Sequence, residues 1–428
     1  MLTKKIIATL LSLSAAVAVF SAFANKTEEQ PQATATVTEQ DIKDNYLKMA
    51  HAVYSDSLTT VLTLQDKIEV LLAAPTEQNL DNAKEAYKLA RIPYQQSEIM
   101  RWDTDITLNA QLDKDGGLNS VDSWEGQVNA WPLDEQAIDY VQGNKNAGII
   151  NQTDGPAISK EYLLAQNGVG GEANVTTGFH AIEFLLWRQD LNGTKAGAGE
   201  RSVNDFQTDK SAQCSAANCD RRRTYLDVAT ELLVDDLTAM TAEWTEQAAN
   251  TKGTLANNFK TSKDGFYYML FAMKTMATDE LASARMNEGL AGLDPEQEHD
   301  CFSDLSHVAI YYNLQGIRNA FYGDYQTING EKVTGASVAD LINQQNPAVF
   351  KTFDTALNEI EKNMRVVYDA GEQQNPIRFD QIIGQSDDGS EKIAALAAVN
   401  QLVELQFAFN SAEELLSLQT LTVSGGGD

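Results

Sequence analysis

The chain has 428 residues, with 61 acidic against 32 basic side chains and a formal net charge of −29. Such a surface repels nucleic acid and anionic membrane and draws cations or basic partners, so a nucleic-acid partner is not expected. A general solubility adaptation explains the charge more simply than a dedicated acidic docking patch, and a chain this long is expected to form two domains.

Residues 1–24 carry the three parts of a secretory signal: Lys4 and Lys5, an uncharged run from Ile6 to Phe20, and the small-x-small site Ala22-Phe23-Ala24. The run is shorter than the roughly 20 residues needed to cross a bilayer core. Cleavage after Ala24 leaves Asn25 first and, with two lysines gone, moves the charge from −29 to −31. No cysteine stands at that junction to take a lipid anchor, and no later run approaches membrane-spanning length, so an exported, soluble product is expected. Residues 25–38, rich in Gln, Thr, Glu and Ala, read as a disordered spacer.

Helical periodicity then runs through 40–73, 77–100, 175–189, 221–249, 263–289, 304–322, 347–369 and 391–418. Ala83, Tyr87, Ala90, Tyr94 and Ile99 form one apolar stripe, and Pro75, Gly193, Gly253 and Gly289 stand where helices should stop. Hairpin signals are scarce. The expected class is all-α, as two helical-bundle domains, 39–190 and 221–428, joined by a linker loop at 191–220. A Pro-led helix from Pro75 is echoed from Pro347, and the helix at 40–73 by 391–418. Similar helix lengths alone would produce the same echo, so an internal duplication stays open.

Two regions resist a helical reading. Residues 103–133 mix Gly, Asp and Asn with Trp124 and Trp131, which are costly to leave exposed, so this loop should pack over something. The Gly-, Ala- and Asn-rich segment 190–220 holds Cys214 and Cys219, five apart. Export permits a local disulfide between them. Cys301 is then a lone thiol, or alternatively the partner of one of the other two.

The sharpest chemical feature is Gly178-Phe179-His180-Ala181-Ile182-Glu183, ahead of the apolar run Phe184 to Trp187. His180 and Glu183, three apart, share one helix face and offer an imidazole and a carboxylate to a metal ion. Gly178 permits close approach of other backbone or a ligand. The same spacing also suits a histidine bonded to its own glutamate and nothing more. Position 181 is Ala and position 184 is Phe, so neither the His-Glu-x-x-His nor the His-x-x-Glu-His zinc protease pattern is met. Further ligands must come from elsewhere. Glu98 is the first choice, as ligand or as acceptor for His180, with Arg91 one face-repeat back as a competing ion-pair partner. Asp134 and Glu135 read as first-turn helix acids. A second polar cluster comprises His299, Asp300, Asp304 and His307; there Ser303 reads as a helix N-cap and Asp304 as a first-turn acid, with a metal role for the cluster as the alternative.

At these residues the chain resembles the imelysin family, which takes in insulin-cleaving metalloproteinase-like and iron-regulated protein A-like proteins of the bacterial envelope and is classed as peptidase family M75. Gly178, His180 and Glu183 match its Gly-x-His-x-x-Glu motif. Ala90-Arg91-Ile92-Pro93-Tyr94 through Ser97-Glu98, Asp122-Ser123-Trp124-Glu125 through Trp131-Pro132-Leu133, and His299-Asp300-Cys301-Phe302-Ser303-Asp304 match further blocks in the family's order. The resemblance implies two four-helix-bundle-like domains with the motif near their junction. It implies a periplasmic or outer-membrane-associated home, an envelope protein as partner, and a role in iron acquisition or response. Imidazole plus carboxylate suits a divalent or ferric ion; iron is favoured and zinc is the alternative. An iron-containing ligand fits the same resemblance. The reading is a periplasmic iron-related binding protein, with a metallopeptidase and a structural, partner-binding helical protein as alternatives.

Overall fold

Helices dominate, as the 3.6-residue patterning requires. The structure is a computed structural model and describes residues 36–100 and 124–418. The expected signal at 1–24, most of the 25–38 spacer and residues 103–123 of the first irregular loop lie outside the described residues. Among the described residues, no helix is long and apolar enough to cross a membrane.

Thr38 opens the first helix, Glu39–Ala73, with a reciprocal capping box to Asp41. A short turn at Ala74 and Pro75 leads to Thr76, which caps Glu77–Ser97. The stripe of Ala83, Tyr87, Ala90 and Tyr94 is buried on that helix. A 3₁₀ turn, Glu98–Met100, then tightens the chain and buries Ile99 with it. These two helices pack as a pair, and Cys219–Glu243 packs against the first of them.

Pro347–Glu372 packs on Ser390–Leu415 in the same manner. Ser306–Tyr322 lies against both Glu77–Ser97 and Pro347–Glu372, so elements from either side of residues 191–220 bury one another. Gly316 permits this contact, because a Cβ there would press on the Gln96 backbone. Val37–Asp428 forms one compact unit. The first pair joins helices of 35 and 21 residues and the second two of 26, with the proline-led helix second in one and first in the other, and duplication is not established.

Three differences from the periodicity are physical. The helix expected over 221–249 stops at Glu243, where Trp244 turns inward and stacks on Tyr54. The segment expected at 263–289 begins α-helical and widens into a π-helix over Met276–Asn287, and the helix then runs through Gly289 to Gly292. A short antiparallel hairpin joins Asp324–Gln326 to Lys332–Thr334. Its Tyr325 hydroxyl donates to the buried carboxylate of Asp56 on the first helix. Asp134 caps a 3₁₀ turn and Glu135 is its first residue.

Within 190–220, Cys214 and Cys219 are joined by a disulfide. The segment is anchored by buried ions: Asp139 accepts two bonds from Arg222 (2.6 and 2.9 Å) and one from Arg201 (2.9 Å). Cys301 is a free, half-buried thiol.

Candidate functional site

The motif helix, Gly178–Trp187, is buried along its whole length. It leans on Glu77–Ser97 and Cys219–Glu243, and an all-round apolar sequence such as Phe184-Leu185-Leu186-Trp187 permits no other setting. Gly178 has φ +77°, and a Cβ there would collide with the carbonyl of Val128. Glycine is required at that corner for both reasons. At the other end Arg188 adopts φ +68° and lies 4.7 Å from the centre of the Tyr140 ring.

His180 and Glu183 point into the interior from one face. Nδ1 of His180 lies 2.8 Å from Oε2 of Glu183, and both side chains are essentially sealed from solvent. Oε1 of Glu183 accepts from the backbone N–H of Ser303 at 3.0 Å and from its hydroxyl at 2.7 Å. Tyr87 donates to Oε2 at 3.4 Å. With Nδ1 directed at a carboxylate, Nε2 of His180 is left buried with no hydrogen-bond partner. A nitrogen in that condition is a ready ligand, since a carboxylate on Nδ1 fixes the tautomer that presents a lone pair at Nε2.

The second acid of the site is Asp300, whose oxygen lies within 4.8 Å of ligand atoms from His180 and Glu183. Arg91 faces it: Nε lies 2.8 Å from Oδ1, and Nη2 donates to Oδ2 at 3.1 Å. Nη1 of Arg91 donates to Asn129 at 2.5 Å, and Phe179 lies beneath the guanidinium. Burial, and then Arg91, pull the His180 pKa down to about 3, so the imidazole is neutral at ordinary pH. Burial first, and Asp300 next, push Glu183 up to about 8.

Glu98, the expected third ligand, sits elsewhere in the network. Both of its oxygens accept from Arg285, at 2.7 and 2.9 Å, and Asn313 and Asn129 donate to it as well. Arg285 comes from the π-helical stretch, where periodicity analysis has no purchase. Glu98 is thus tied to Arg285, while Asp300, itself paired with Arg91, is the carboxylate grouped with His180 and Glu183.

The second polar cluster divides. His299 joins the His180 site: the two rings are 4.8 Å apart and roughly perpendicular, Nδ1 of His299 lies 3.3 Å from Nη2 of Arg91, and its Nε2 is buried without a partner. Trp131 packs edge-on against His299 at 5.7 Å, so the end of the 103–133 loop does lie over the site. His307 takes a structural place, with Nδ1 at 3.1 Å from the Asp304 carbonyl and Nε2 at 2.9 Å from Glu372. The capping reading is corrected. The helix begins at Ser306 with Leu305 before it and no side-chain cap, Ser303 serves Glu183, and Asp304 adopts φ +53° outside the helix. The role of Ser303 is hidden because its block looks like an ordinary helix start, whereas Asp300 belongs to the polar cluster for which a metal role was the alternative. A His-Asp-Cys-Phe-Ser-Asp run too apolar to be a solvated cap was the available signal.

The profile of the imelysin family, Peptidase M75, matches residues 50–408. The chain is 21% identical over 332 residues to Iron-regulated protein A of Synechococcus elongatus, covering 76% of this chain and 74% of that protein. It also shares its fold with the crystal structure of a provisionally named iron-regulated protein A precursor from Parabacteroides distasonis. There the TM-score is 0.58 at 16% identity, over 89% of this chain and 97% of the other.

Proposed function

The chain belongs to the imelysin family, and from the geometry above we propose that it is an exported, periplasmic metal-binding protein of iron acquisition or response, with His180 at the centre of the site. The observation that carries this is the buried, unpartnered Nε2 of His180, held in place through Nδ1 by Glu183. Leaving such a nitrogen without water or donor costs free energy that a bound cation would recover. His180 with Asp300 supplies the nitrogen and oxygen donors that suit iron, with zinc the competitor, and Glu183 orients the imidazole. The name Iron-regulated protein A carried by a relative favours iron. A bare ion and an iron-containing ligand both satisfy these donors.

The peptidase reading is weaker on chemical grounds. A hydrolytic site needs a carboxylate or other base free to take a proton from water. Both oxygens of Glu183 are engaged, one by Ser303 and the other by His180 and Tyr87. The residues therefore suit holding an ion better than turning over a substrate.

Elemental analysis of protein purified without chelators tests the proposal. About one iron per chain, lost in His180→Ala with the fold retained, is the expected result. Equal metal content in both proteins, or none in either, overturns the site. Metal-dependent peptide cleavage lost in the same variant would restore the enzyme.

A further inference from the structure

A second group of carboxylates converges outside the His180 site, from three distant segments of the chain. Asp190 lies just beyond the motif helix, Asp304 just before Ser306–Tyr322, and Asp380 in the short helix Phe379–Ile383. One oxygen from each lies within 4.8 Å of the other two. Gly384 allows the meeting, since a Cβ there would strike Thr194 in the loop that carries Asp190.

The group is more than a patch of surface acid. Asp304 is 2% and Asp380 0% exposed. Oδ1 of Asp304 is buried with no hydrogen-bond partner, and the buried oxygens of Asp380 have none but the backbone N–H groups of Asp380 and Gln381. Behind them Glu298, 1% exposed, adds a fourth carboxylate whose Oε2 is also unpartnered. Among the described residues no lysine or arginine forms an ion pair with Asp190, Asp304 or Asp380. The nearby Arg378 directs Nη1 to His307 at 2.9 Å and lies 3.6 Å from Glu372. Burial first, and like charge besides, push Asp304 up to about 8 and Asp380 to about 7. Acids gathered in a buried site raise one another in this way, here against the partial pull of Arg378.

We propose that Asp190, Asp304 and Asp380 form a second cation site, distinct from that of His180, which takes a hard divalent ion of the calcium class with Glu298 behind it. The donor set decides the class. It holds only carboxylate oxygens, with no imidazole or thiolate, and so disfavours iron(II), zinc and copper. Calcium tolerates the irregular geometry of three independent segments, whereas magnesium demands a near-ideal octahedron. Asp304 also lines a cavity of about 550 Å³ with Ser303, Trp187 and Arg378, which gives an ion a way in from solvent. An ion there would tie together the loop after the motif helix, the segment carrying Ser303, and the helix at 379–383.

The test titrates the full-length chelator-stripped protein with Ca²⁺, Mg²⁺ and Mn²⁺, by calorimetry and by thermal melting. Wild type should bind one Ca²⁺ saturably and melt several degrees higher with it. Asp380→Asn and Asp304→Asn should each weaken Ca²⁺ binding tenfold or more. Asp387→Asn, at a fully exposed position, should not. Because Asp380→Asn removes a buried, repelled charge, its metal-free form should melt no lower than metal-free wild type, which separates lost binding from lost folding. No saturable Ca²⁺ binding, undiminished binding in both buried variants, or tighter binding of Mn²⁺ than of Ca²⁺ overturns the proposal.

Discussion

Ser303 gives Glu183 two hydrogen bonds, one from its backbone N–H and one from its hydroxyl, across 120 residues of sequence. Glu183 in turn orients His180. The stretch before Ser306–Tyr322 is thereby part of the motif that lies on another helix, and it positions the imidazole without touching it. Ser303→Ala should lower stability by about 1–3 kcal/mol, the range for leaving a buried acceptor without its donor. It should weaken metal binding by roughly 10- to 100-fold, as loss of an orienting partner does. Denaturant unfolding and metal titration check both; an unchanged metal affinity would disconnect Ser303 from the site.

The choice of second carboxylate is testable directly. Asp300→Asn should lose metal, because Asp300 is the acid grouped with His180 and Glu183. Glu98→Gln should keep its metal and lose stability, because Glu98 is bound by Arg285. Circular dichroism beside the metal assay distinguishes a lost ligand from a lost fold. The reverse pattern would return Glu98 to the site.

Gly178 offers a cleaner test of the local backbone. Gly178→Ala adds a methyl group against the Val128 carbonyl at a residue with φ +77°. Strain and collision together should cost more than about 2 kcal/mol. Gly126→Ala, with nothing within 4 Å of the added carbon, should stay within about 0.5 kcal/mol of wild type. Similar melting temperatures for the two variants would contradict the corner drawn here.

The pH dependence of the metal-free protein follows from the raised carboxylates. Asp304 and Asp380 hold a proton up to about pH 8 and about pH 7 in the folded state and release it near pH 4 when unfolded. Between pH 6.5 and 8 the native state therefore binds more protons than the unfolded one, and stability falls as pH rises. His180, depressed to about 3, acts oppositely, but only below the ordinary histidine pKa of about 6.5. Chelated protein should melt higher at pH 6.5 than at pH 8. A melting temperature that is flat or rises across this window would show that these acids are already ionised.

The helical architecture and the His180–Glu183 pair were legible because both are local. Apolar spacing at 3.6 residues marks a helix wherever it falls, and two side chains three apart on one helix must share a face. The Gly178 requirement was legible in kind, since a glycine beside a buried helix signals a close approach. Local order also misled: Ser303 and Asp304 have the composition of a helix cap, and the chain before Ser306 uses them for other bonds.

Arg91 with Asp300, Glu98 with Arg285, and the meeting of Asp190, Asp304 and Asp380 could not be read along the chain. Each pairs residues far apart in sequence, and which carboxylate finds a guanidinium depends on how helices cross. Along the chain Glu98 and Asp300 are two acids among many, and nothing local ranks one above the other. Packing left Glu98 beside Arg285 and Asp300 beside His180. The residues that could bind a metal were therefore determined by the sequence, and only the tertiary structure decided which of them stand together, because burial and pairing are properties of the assembled core.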